Sequence, residues 1–462
     1  MWGIFGVVLS LALLMFFAYR GFSVLFLAPI MASLAVILSG ELPVLASYTQ
    51  IFMEALANFI MTFFPIFLLG AIFGKLMDAS GAAQSIANTI AGYLGNRRAI
   101  LAIVLACGVL TYGGVSLFVV AFAVYPIAAA LFKEAEIPKR FVPGAIALGS
   151  FTFTMTALPG TPAIQNAIPT GFFGTDVFAA PGLGLIGGLL MMGGGMLWLS
   201  RRAGVAKAGG EGYGIHPAEH EEKAELRSLP PLLIALLPIL LVVVFNLLFA
   251  RVLIPGWDTG YLADPDFGET SVDDVRGIWA IIMALVIAIA ATIALNWKRL
   301  EDTRESINRG CMNSLLPIFN TASEVGYGAV IASLTAFILI RDFMVGISPD
   351  NALISQAITV NVLAGITGSA SGGMSIALST MGELHLEMAL EQGIDPELLH
   401  RVTSMAAGGL DALPHCGAII TLLSICRLTH RQSYPDIFMV SVVIPLMSLV
   451  VVVALGTMLG SF

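Results

Sequence analysis

The sequence predicts an all-α polytopic membrane protein built from two inverted repeats, each with five membrane crossings and one re-entrant hairpin. Composition places the chain in the membrane: apolar residues make up 58% and charged residues 11% of its 462 residues, and the mean hydropathy is +0.92. A soluble protein of this size is about one-quarter charged. A duplicated set of motifs predicts the repeats, and the distribution of basic residues predicts their orientation.

Three sequence landmarks occur twice along the chain, in the same order. They are Pro-Ile-Phe at 65–67 and 317–319, Gly-Gly-x-Ser at 113–116 and 372–375, and Ala-Leu-Pro-x-x-x-Ala-Ile at 157–164 and 412–419. We expect each landmark to break an apolar helical run, because it introduces glycine, proline or hydroxyl residues. Breaks at corresponding positions of two halves indicate the binding site of a transporter.

The first predicted repeat covers residues 1–200. Its apolar runs at 3–19, 22–39 and 61–78 are long enough to cross a hydrocarbon core of roughly 30 Å. A hairpin at 99–133 follows, with its tip at 111–116. Each arm has roughly 12 to 17 residues, which is short for a full crossing, so we expect the hairpin to be re-entrant. A broken span at 139–175 and a last span at 181–200 complete the repeat.

The second predicted repeat covers residues 229–462 and follows a polar, glycine-rich linker at 201–228. It contains the same elements, with a hairpin at 353–390, a hairpin tip at 368–375 and a broken span at 395–426. A re-entrant hairpin adds no crossing, so each repeat crosses five times. Because five is odd, the second repeat is inverted relative to the first, and the two hairpin tips are expected to meet near the membrane midplane.

The basic residues predict the orientation. With the amino terminus outside, 18 of the 22 lysines and arginines fall on the inner side, together with the linker. The other four, Arg251, Arg276, Arg341 and Arg401, fall in outer loops. Basic residues concentrate on the cytoplasmic side of membrane proteins. We therefore expect a bacterial inner-membrane protein with both termini outside.

Two hairpin tips and two broken spans provide four places where non-helical backbone lies at membrane depth. Such backbone must be satisfied by protein or must line a wet cavity. No lysine or arginine lies at any break, so the predicted site suits one carboxylate bound by neutral donors and half-helix amino termini. The alternative role of these small residues is close helix packing. The candidate substrate-binding residues are Thr111, Gly113, Gly114, Ser116, Thr161, Gln165, Asn166, Ser369, Ser371, Gly373, Ser375 and His415.

Two acidic residues are candidates for proton coupling, because ionisable groups within membrane spans are usually functional. Asp411 lies one turn before the second break, and the repeat aligns it with Thr156. Glu324 lies in the long span after the second Pro-Ile-Phe. The alternative roles are a helix cap for Asp411 and a structural hydrogen bond for Glu324. Another group of ionisable residues, at 383–387, is predicted to lie on a partly solvated surface.

The chain resembles the gluconate permease (GntP) family of the ion transporter superfamily. The resemblance rests on Pro-Ile-Phe with Gly70 and Gly74 downstream, on the Gly-Gly-Val-Ser tip, and on the Pro-Gly-Thr-Pro-Ala-Ile break. Gluconate members carry a histidine at the first break, whereas residues 158–162 of this chain, Leu-Pro-Gly-Thr-Pro, contain no histidine. At the second break they carry a His-x-Asn-Asp stretch, where this chain has Pro-His-Cys-Gly. The pattern is closer to the D-3-hydroxybutyrate permease-like branch.

The resemblance implies proton-coupled uptake of a small hydroxy acid, such as 3-hydroxybutyrate or a gluconate-like acid, by a homodimer. The superfamily implies an elevator, in which hairpins and broken spans move against a scaffold of simple spans. No cofactor, metal or nucleic acid is expected. The alternatives are a sodium-coupled carboxylate transporter, a channel, and an intramembrane hydrolase with Ser116 or Ser375 as nucleophile and His415 as base.

Overall fold

The computed structural model describes residues 2–20, 22–214, 216, 228–414 and 416–462. Within those residues all regular structure is helical, and they contain no strand. The predicted site residue His415 lies outside the described residues. Residues 215 and 217–227 of the predicted linker, including Lys223 and Arg227 of the inner basic set, also lie outside them.

The first half contains a series of helices in the predicted order. They are α1 (Trp2–Tyr19), α2 (Val24–Ser39), α3 (Val44–Ala46), α4 (Met53–Ala79), α5 (Ala82–Leu94), α6 (Ala99–Tyr112), α7 (Leu117–Glu134), α8 (Val142–Ser150), α9 (Phe153–Thr156), α10 (Ile164–Phe173) and α11 (Pro181–Ala208). A π-helical turn, Ser47–Phe52, joins α3 to α4 without interruption.

The second half repeats this order. Its helices are α12 (Leu232–Leu248), α13 (Val272–Asn296), α14 (Thr303–Ala332), α15 (Thr335–Gly346), α16 (Ala352–Thr367), α17 (Ala370–Glu391), α18 (Pro396–Ala407), α19 (Gly417–Ile425), α20 (His430–Phe438) and α21 (Ile444–Leu459). A π-helical turn, Met439–Val443, makes α20 and α21 one continuous span.

Length and composition identify the candidate membrane spans among the described residues. Six helices are long and apolar enough to cross a membrane, or up to nine if each sharply bent helix pair counts as one span. Three shorter apolar helices, which correspond to α1, α2 and α16, lie beside them. The predicted hairpins are present as α6–α7 and α16–α17. Their re-entrant course stays a prediction.

Each half also contains a helix that the sequence analysis did not predict. In the first half this is α5, which meets the following helical stretch at 103°, and in the second half it is α15, which meets α14 at 91°. Both are short, with 13 and 12 residues, and both carry polar residues. They therefore lack the apolar run of about 20 residues by which a span is recognised.

The two halves pack against each other reciprocally. The long helices α4 and α14 lie side by side. Helix α2 of the first half packs on α14, and its counterpart α13 of the second half packs on α4. In the same way, α5 packs on α12 and its counterpart α15 packs on α1. Within each half, α6 contacts α8 as α16 contacts α18. A twofold relation between the halves would produce such paired contacts. The orientation of that axis relative to the membrane stays a prediction.

Three sequence predictions about boundaries need correction. The Pro-Ile-Phe landmark does not end a helix, because α4 and α14 continue past Pro65 and Pro317. The second hairpin turn is only 368–369, so the glycine-rich motif at 372–375 lies inside α17 instead of at the tip. The last span of the first half extends to Ala208, and the first eight residues of the predicted linker are therefore helical.

A charged cluster holds the last span to the first broken span. The Asp436 carboxylate is 1% exposed and accepts hydrogen bonds from Trp198 Nε1 at 3.0 Å, Arg202 Nε at 3.2 Å and Arg140 Nη1 at 3.4 Å. Arg140 also binds Glu211 through two hydrogen bonds of 2.8 and 2.9 Å, and this pairing lowers the pKa of the Glu211 carboxyl group. One buried carboxylate therefore connects α11, α20 and the start of the first broken span.

We expect Asp436→Asn to destabilise the protein, because the amide loses one acceptor oxygen and the negative charge that three donors share. Hydrogen bonds to a charged group contribute about 1.5–3 kcal/mol, so the loss should be roughly 2 kcal/mol. Thermal unfolding of the detergent-solubilised protein measures it. The control is Glu305→Gln, which removes an exposed pair with Arg309. An equal fall in melting temperature for both variants would contradict the prediction.

Candidate transport site

A buried carboxylate lies against the amino-terminal turn of α17. Glu324, near the middle of α14, is 3% exposed. Its carboxyl group occupies the space beside Gly372, where an added Cβ would overlap both the carboxylate oxygens and the carboxyl carbon. Glycine at 372 is thus what lets this acid approach the helix backbone. The second Gly-Gly-x-Ser motif therefore contributes directly to the site, although it does not form the hairpin turn.

The beginning of α17 supplies hydrogen-bonding groups next to this carboxylate. Ser369 is the N-cap residue, and its hydroxyl accepts a hydrogen bond from Gly372 N–H at 3.1 Å. Its side chain is also close to the Glu324 carboxyl group. In the first turn of α17, the hydroxyl of Ser371 lies 3.2 Å from the hydroxyl of Thr321 on α14. The positive end of the α17 dipole favours a negative charge here.

Glu324 has few partners among the described residues. None of their basic side chains forms an ion pair with it, and none of their polar groups hydrogen-bonds its Oε2. The hydroxyls of Ser323 and Ser375, on the same two helices, are also buried and have no partner among the described residues. Buried polar groups are normally hydrogen-bonded, so the contact of α14 with α17 is a candidate place for a water, an ion or a ligand.

The first hairpin tip rests on the first break. The hydroxyl of Tyr112 donates a hydrogen bond to Pro159 O at 2.7 Å. Gly114, with φ +88°, approaches Pro162 so closely that an added Cβ would lie 2.8 Å from the proline ring. On its other side the tip passes α4, where a Cβ at Gly74 would lie 3.4 Å from Ser116 N. Gly114 thus allows the tip to fit between a span and a break.

The predicted site residues of the first half differ in what they offer a ligand. Thr111 is 3% exposed and its hydroxyl has no partner in the part of the chain that the structure describes, while Ser116 is half-buried at the amino terminus of α7. Thr161 is buried and its hydroxyl accepts from Ala163 N–H at 3.3 Å. Gln165 is 8% exposed. These four side chains line the hairpin tip and the first break, where the sequence analysis placed them.

Asn166 is engaged mainly by the protein itself. Its Nδ2 donates to Thr161 O at 3.0 Å and to Val177 O at 2.8 Å, and its Oδ1 accepts from Arg401 Nη1 at 2.9 Å. An asparagine amide offers two donors and two acceptor positions. Both donors and one acceptor position are used, and His400 Nε2 lies 3.3 Å from the same Oδ1. Asn166 therefore serves the protein scaffold, and we leave it out of the proposed binding groups.

The two breaks are adjacent. Ser404 on α18 donates a hydrogen bond to Thr156 O at 2.9 Å, and a Cβ added at Gly408 would lie 2.5 Å from Thr156 Cγ2. Asp411 is half-buried on a short 3-10 turn of the second break. This turn packs on α16, and α16 packs on α17, the helix against which Glu324 lies. The two predicted coupling residues thus belong to neighbouring elements.

Comparison with known proteins identifies the family. The model of the GntP family permeases matches residues 2–414. The chain belongs to this family. It is 48% identical over 457 residues to YxjC of Bacillus subtilis (strain 168), an uncharacterized transporter, and the match covers 95% of each chain. A shorter match, 42% over 77 residues, relates 17% of this chain to 18% of an uncharacterized transporter of Haemophilus influenzae.

The fold has a counterpart among solved structures. The crystal structure of the YdaH transporter of Alcanivorax borkumensis, described as having an unusual topology, matches with a TM-score of 0.58 and covers 88% of each chain. At 12% identity this likeness concerns the fold alone. Together with the apolar helices, the family membership indicates a multi-pass membrane transporter rather than an enzyme.

Two placements of charged residues in the permease were wrong. Arg401, assigned to an outer loop, is fully buried in α18 beside the first break, so a basic residue does lie near a break. His385, assigned to a partly solvated surface, is fully buried, with Nδ1 2.9 Å from Met381 O and Nε2 3.0 Å from the Ser355 hydroxyl. Each side chain has protein partners that are distant in sequence, which a pattern of apolar runs does not reveal.

We expect Gly372→Ala to reduce uptake by the permease at least tenfold, because the added Cβ takes the space of the Glu324 carboxylate. Uptake into proteoliposomes with matched protein content measures the effect. Gly193→Ala in α11 is the control, since nothing lies within 4 Å of a Cβ there. Shortening the acid in the double variant Gly372→Ala/Glu324→Asp should restore thermal stability relative to Gly372→Ala. Full uptake by Gly372→Ala alone would contradict this description of the site.

Proposed function

We propose that this permease is a proton-coupled symporter that carries a small organic monocarboxylate into the cell across the bacterial inner membrane. The observation that carries the proposal is the buried Glu324 carboxyl group, unpaired with any cation among the described residues and seated at the amino terminus of α17. The family membership supports transport of an anion, and the family name makes gluconate one plausible substrate.

A buried ionised carboxylate is costly unless it is paired. The amino terminus of α17 provides part of the compensation, through its dipole and its free N–H groups. A substrate carboxylate bound at the same helix end would need the same groups. Two negative charges close together in a low-dielectric interior repel strongly. The substrate and the ionised Glu324 therefore exclude each other in the proposed mechanism.

Protonation of Glu324 removes this conflict. The neutral acid no longer needs the N–H groups at the amino terminus of α17, so the substrate carboxylate can bind them. Proton and substrate therefore bind together. After the site opens to the cytoplasm, loss of either one weakens the binding of the other, because linkage between two ligands is reciprocal. An inward proton gradient thereby drives accumulation of the substrate in the cell. Asp411, in the adjacent second break, is the other candidate for this role.

The donors at the site suit a single carboxylate. Thr111, Ser116, Thr161, Gln165, Ser369, Ser371 and Ser375 supply neutral hydroxyl or amide groups, and Gly113 and Gly373 belong to the two Gly-Gly-x-Ser motifs. Arg401, which lies beside the first break, is already bound to backbone carbonyls. Short hydroxy acids such as 3-hydroxybutyrate match one anionic group and one hydroxyl.

The larger-scale mechanism we propose is an elevator in a homodimer of inverted repeats. The reciprocal packing of the two halves supports the repeat relation. The contact between the two breaks, through Ser404 and Thr156, supports a transport domain in which both broken spans move together.

We expect Glu324→Gln to abolish uphill uptake driven by a pH gradient while sparing exchange of labelled for unlabelled substrate. Glutamine keeps the shape of the acid but cannot carry a proton. Proteoliposome uptake with and without an inward proton gradient measures this, and Asp411→Asn is assayed in parallel. If Glu324→Gln accumulates substrate with wild-type pH dependence and Asp411→Asn does not, Asp411 carries the coupling.

The same assay separates the coupling ions. Replacing the proton gradient by an inward sodium gradient tests the sodium-coupled alternative. Accumulation driven by sodium alone, at equal pH on both sides, would overturn proton coupling.

We expect 3-hydroxybutyrate or gluconate to compete for uptake better than dicarboxylates or tricarboxylates, because the neutral donors of the site compensate only one negative charge. The measurement is inhibition of uptake of a radiolabelled small monocarboxylate by a panel of unlabelled acids. Succinate or citrate inhibiting more strongly than every monocarboxylate in the panel would refute the proposed substrate class.

A further inference from the structure

We propose that Arg401 is a positioning residue, which fixes the shape of the first break from the opposite half of the permease. The inference rests on the proposed function in one respect: the first break is taken to contact the substrate. Arg401 itself is not a binding residue, because it acts through Asn166 and through backbone carbonyls.

Arg401 is the largest side chain that is fully buried among the described residues. Its Nε donates to Ala179 O at 3.0 Å, and its Nη2 donates to Ala179 O at 2.8 Å and to Val177 O at 3.2 Å. Its Nη1 donates to Asn166 Oδ1 at 2.9 Å. The guanidinium therefore binds two nearby carbonyls, Val177 O and Ala179 O, in the segment between α10 and α11. The planar guanidinium has several donors in fixed directions, so it can bind three acceptors at once, and a lysine ammonium cannot reproduce this arrangement.

Asn166 connects Arg401 to the first break. The Asn166 amide holds Thr161 O at 3.0 Å on one side and Val177 O at 2.8 Å on the other. Thr161 lies in the non-helical stretch between α9 and α10, where backbone groups have no helical partner. A side chain from α18 thus determines, through one intermediate, where the carbonyl of a predicted binding residue points.

Val177 O is the point at which these contacts converge. It accepts hydrogen bonds from Gly160 N–H at 2.9 Å, from Asn166 Nδ2 at 2.8 Å and from Arg401 Nη2 at 3.2 Å. These donors come from the break, from α10 and from α18. Removal of the guanidinium therefore weakens the anchor of Gly160 even though the two residues are far apart in sequence.

A glycine in α11, Gly184, makes room for the arginine. On α11, a Cβ added at Gly184 would lie 3.0 Å from Arg401 Nε and 2.5 Å from Ala157 O, at the start of the first break. Glycine at 184 lets α11 close over both groups at once. The arginine, the break and the last span of the first half are consequently packed as one unit.

The test uses the full-length permease with two variants, Arg401→Lys and Asn166→Asp. Lysine keeps the charge but loses the fork of donors. Aspartate keeps an acceptor for Arg401 but replaces the donor to Thr161 O and Val177 O with an oxygen. The matched control is Ser404→Ala, which removes a different hydrogen bond, to Thr156 O, from the same helix.

The first readout needs no substrate. Hydrogen–deuterium exchange of the purified, substrate-free protein should be at least tenfold faster at residues 157–166 in both variants, and unchanged at α17. Ser404→Ala should leave residues 160–166 as in the wild type. Wild-type exchange at 160–166 in a folded Asn166→Asp variant would overturn the proposal, and that variant carries the test if Arg401→Lys fails to fold.

The second readout is counterflow of radiolabelled 3-hydroxybutyrate or gluconate in proteoliposomes. A misplaced break should raise KM at least tenfold with a smaller change in the maximal rate, whereas Ser404→Ala should change KM less than threefold. An equal rise in KM for the control would mean that any loosening of α18 has this effect, which overturns a specific positioning role. If the wild type transports neither acid, the proposed substrate class fails while the exchange result still decides the role of Arg401.

Discussion

The structure depends on one constraint: a helix interrupted inside a hydrocarbon layer must have its freed backbone groups bound by protein or water. The first break meets this constraint with partners from several elements. Pro159 O accepts from Tyr112, Gly160 N–H donates to Val177 O, and Thr161 O accepts from Asn166. The helix ends left over are the anion-binding groups of the proposed site, so the same interruptions create both the structural demand and that proposed site.

The two breaks meet this constraint differently. The first is secured by buried polar side chains, with Arg401 and Asn166 at the centre. The second is secured from the last span, where Tyr434 donates to Ala412 O at 3.1 Å and His430 Nε2 lies 3.0 Å from Pro414 O. A duplicated backbone pattern therefore does not require duplicated side chains. Each break needs only that its carbonyls be bound, and different neighbours provide the donors.

The sequence predicts what depends on local composition and misses what depends on distant contacts. Apolar runs and Gly/Pro clusters are local, and helices α6–α7 and α16–α17 occupy nearly the residue ranges of the two predicted hairpins. Helices α5 and α15 were missed because they are too short to form an apolar run. The burial of Arg401 was missed because its partners are carbonyls at Val177 and Ala179, more than 220 residues away. A position near the end of a span resembles a loop until those partners are known.

The acids of the proposed site break the symmetry of the repeat. Asp411 aligns with Thr156, and the Pro-Ile-Phe landmark, repeated at a spacing of 252 residues, aligns Glu324 with Ile72. Ile72 packs against Gly310, where a Cβ would lie 2.7 Å from its Cα, so this position in the first half is an apolar helix contact. Both candidate acids therefore belong to the second half, next to α17 and the second break. In the proposed mechanism, the half with the carboxylates exchanges protons while the other half supplies neutral donors. Duplication provides two similar breaks, and the two candidate acids are found only at and beside the second one. The two halves can therefore take different roles in the proposed mechanism.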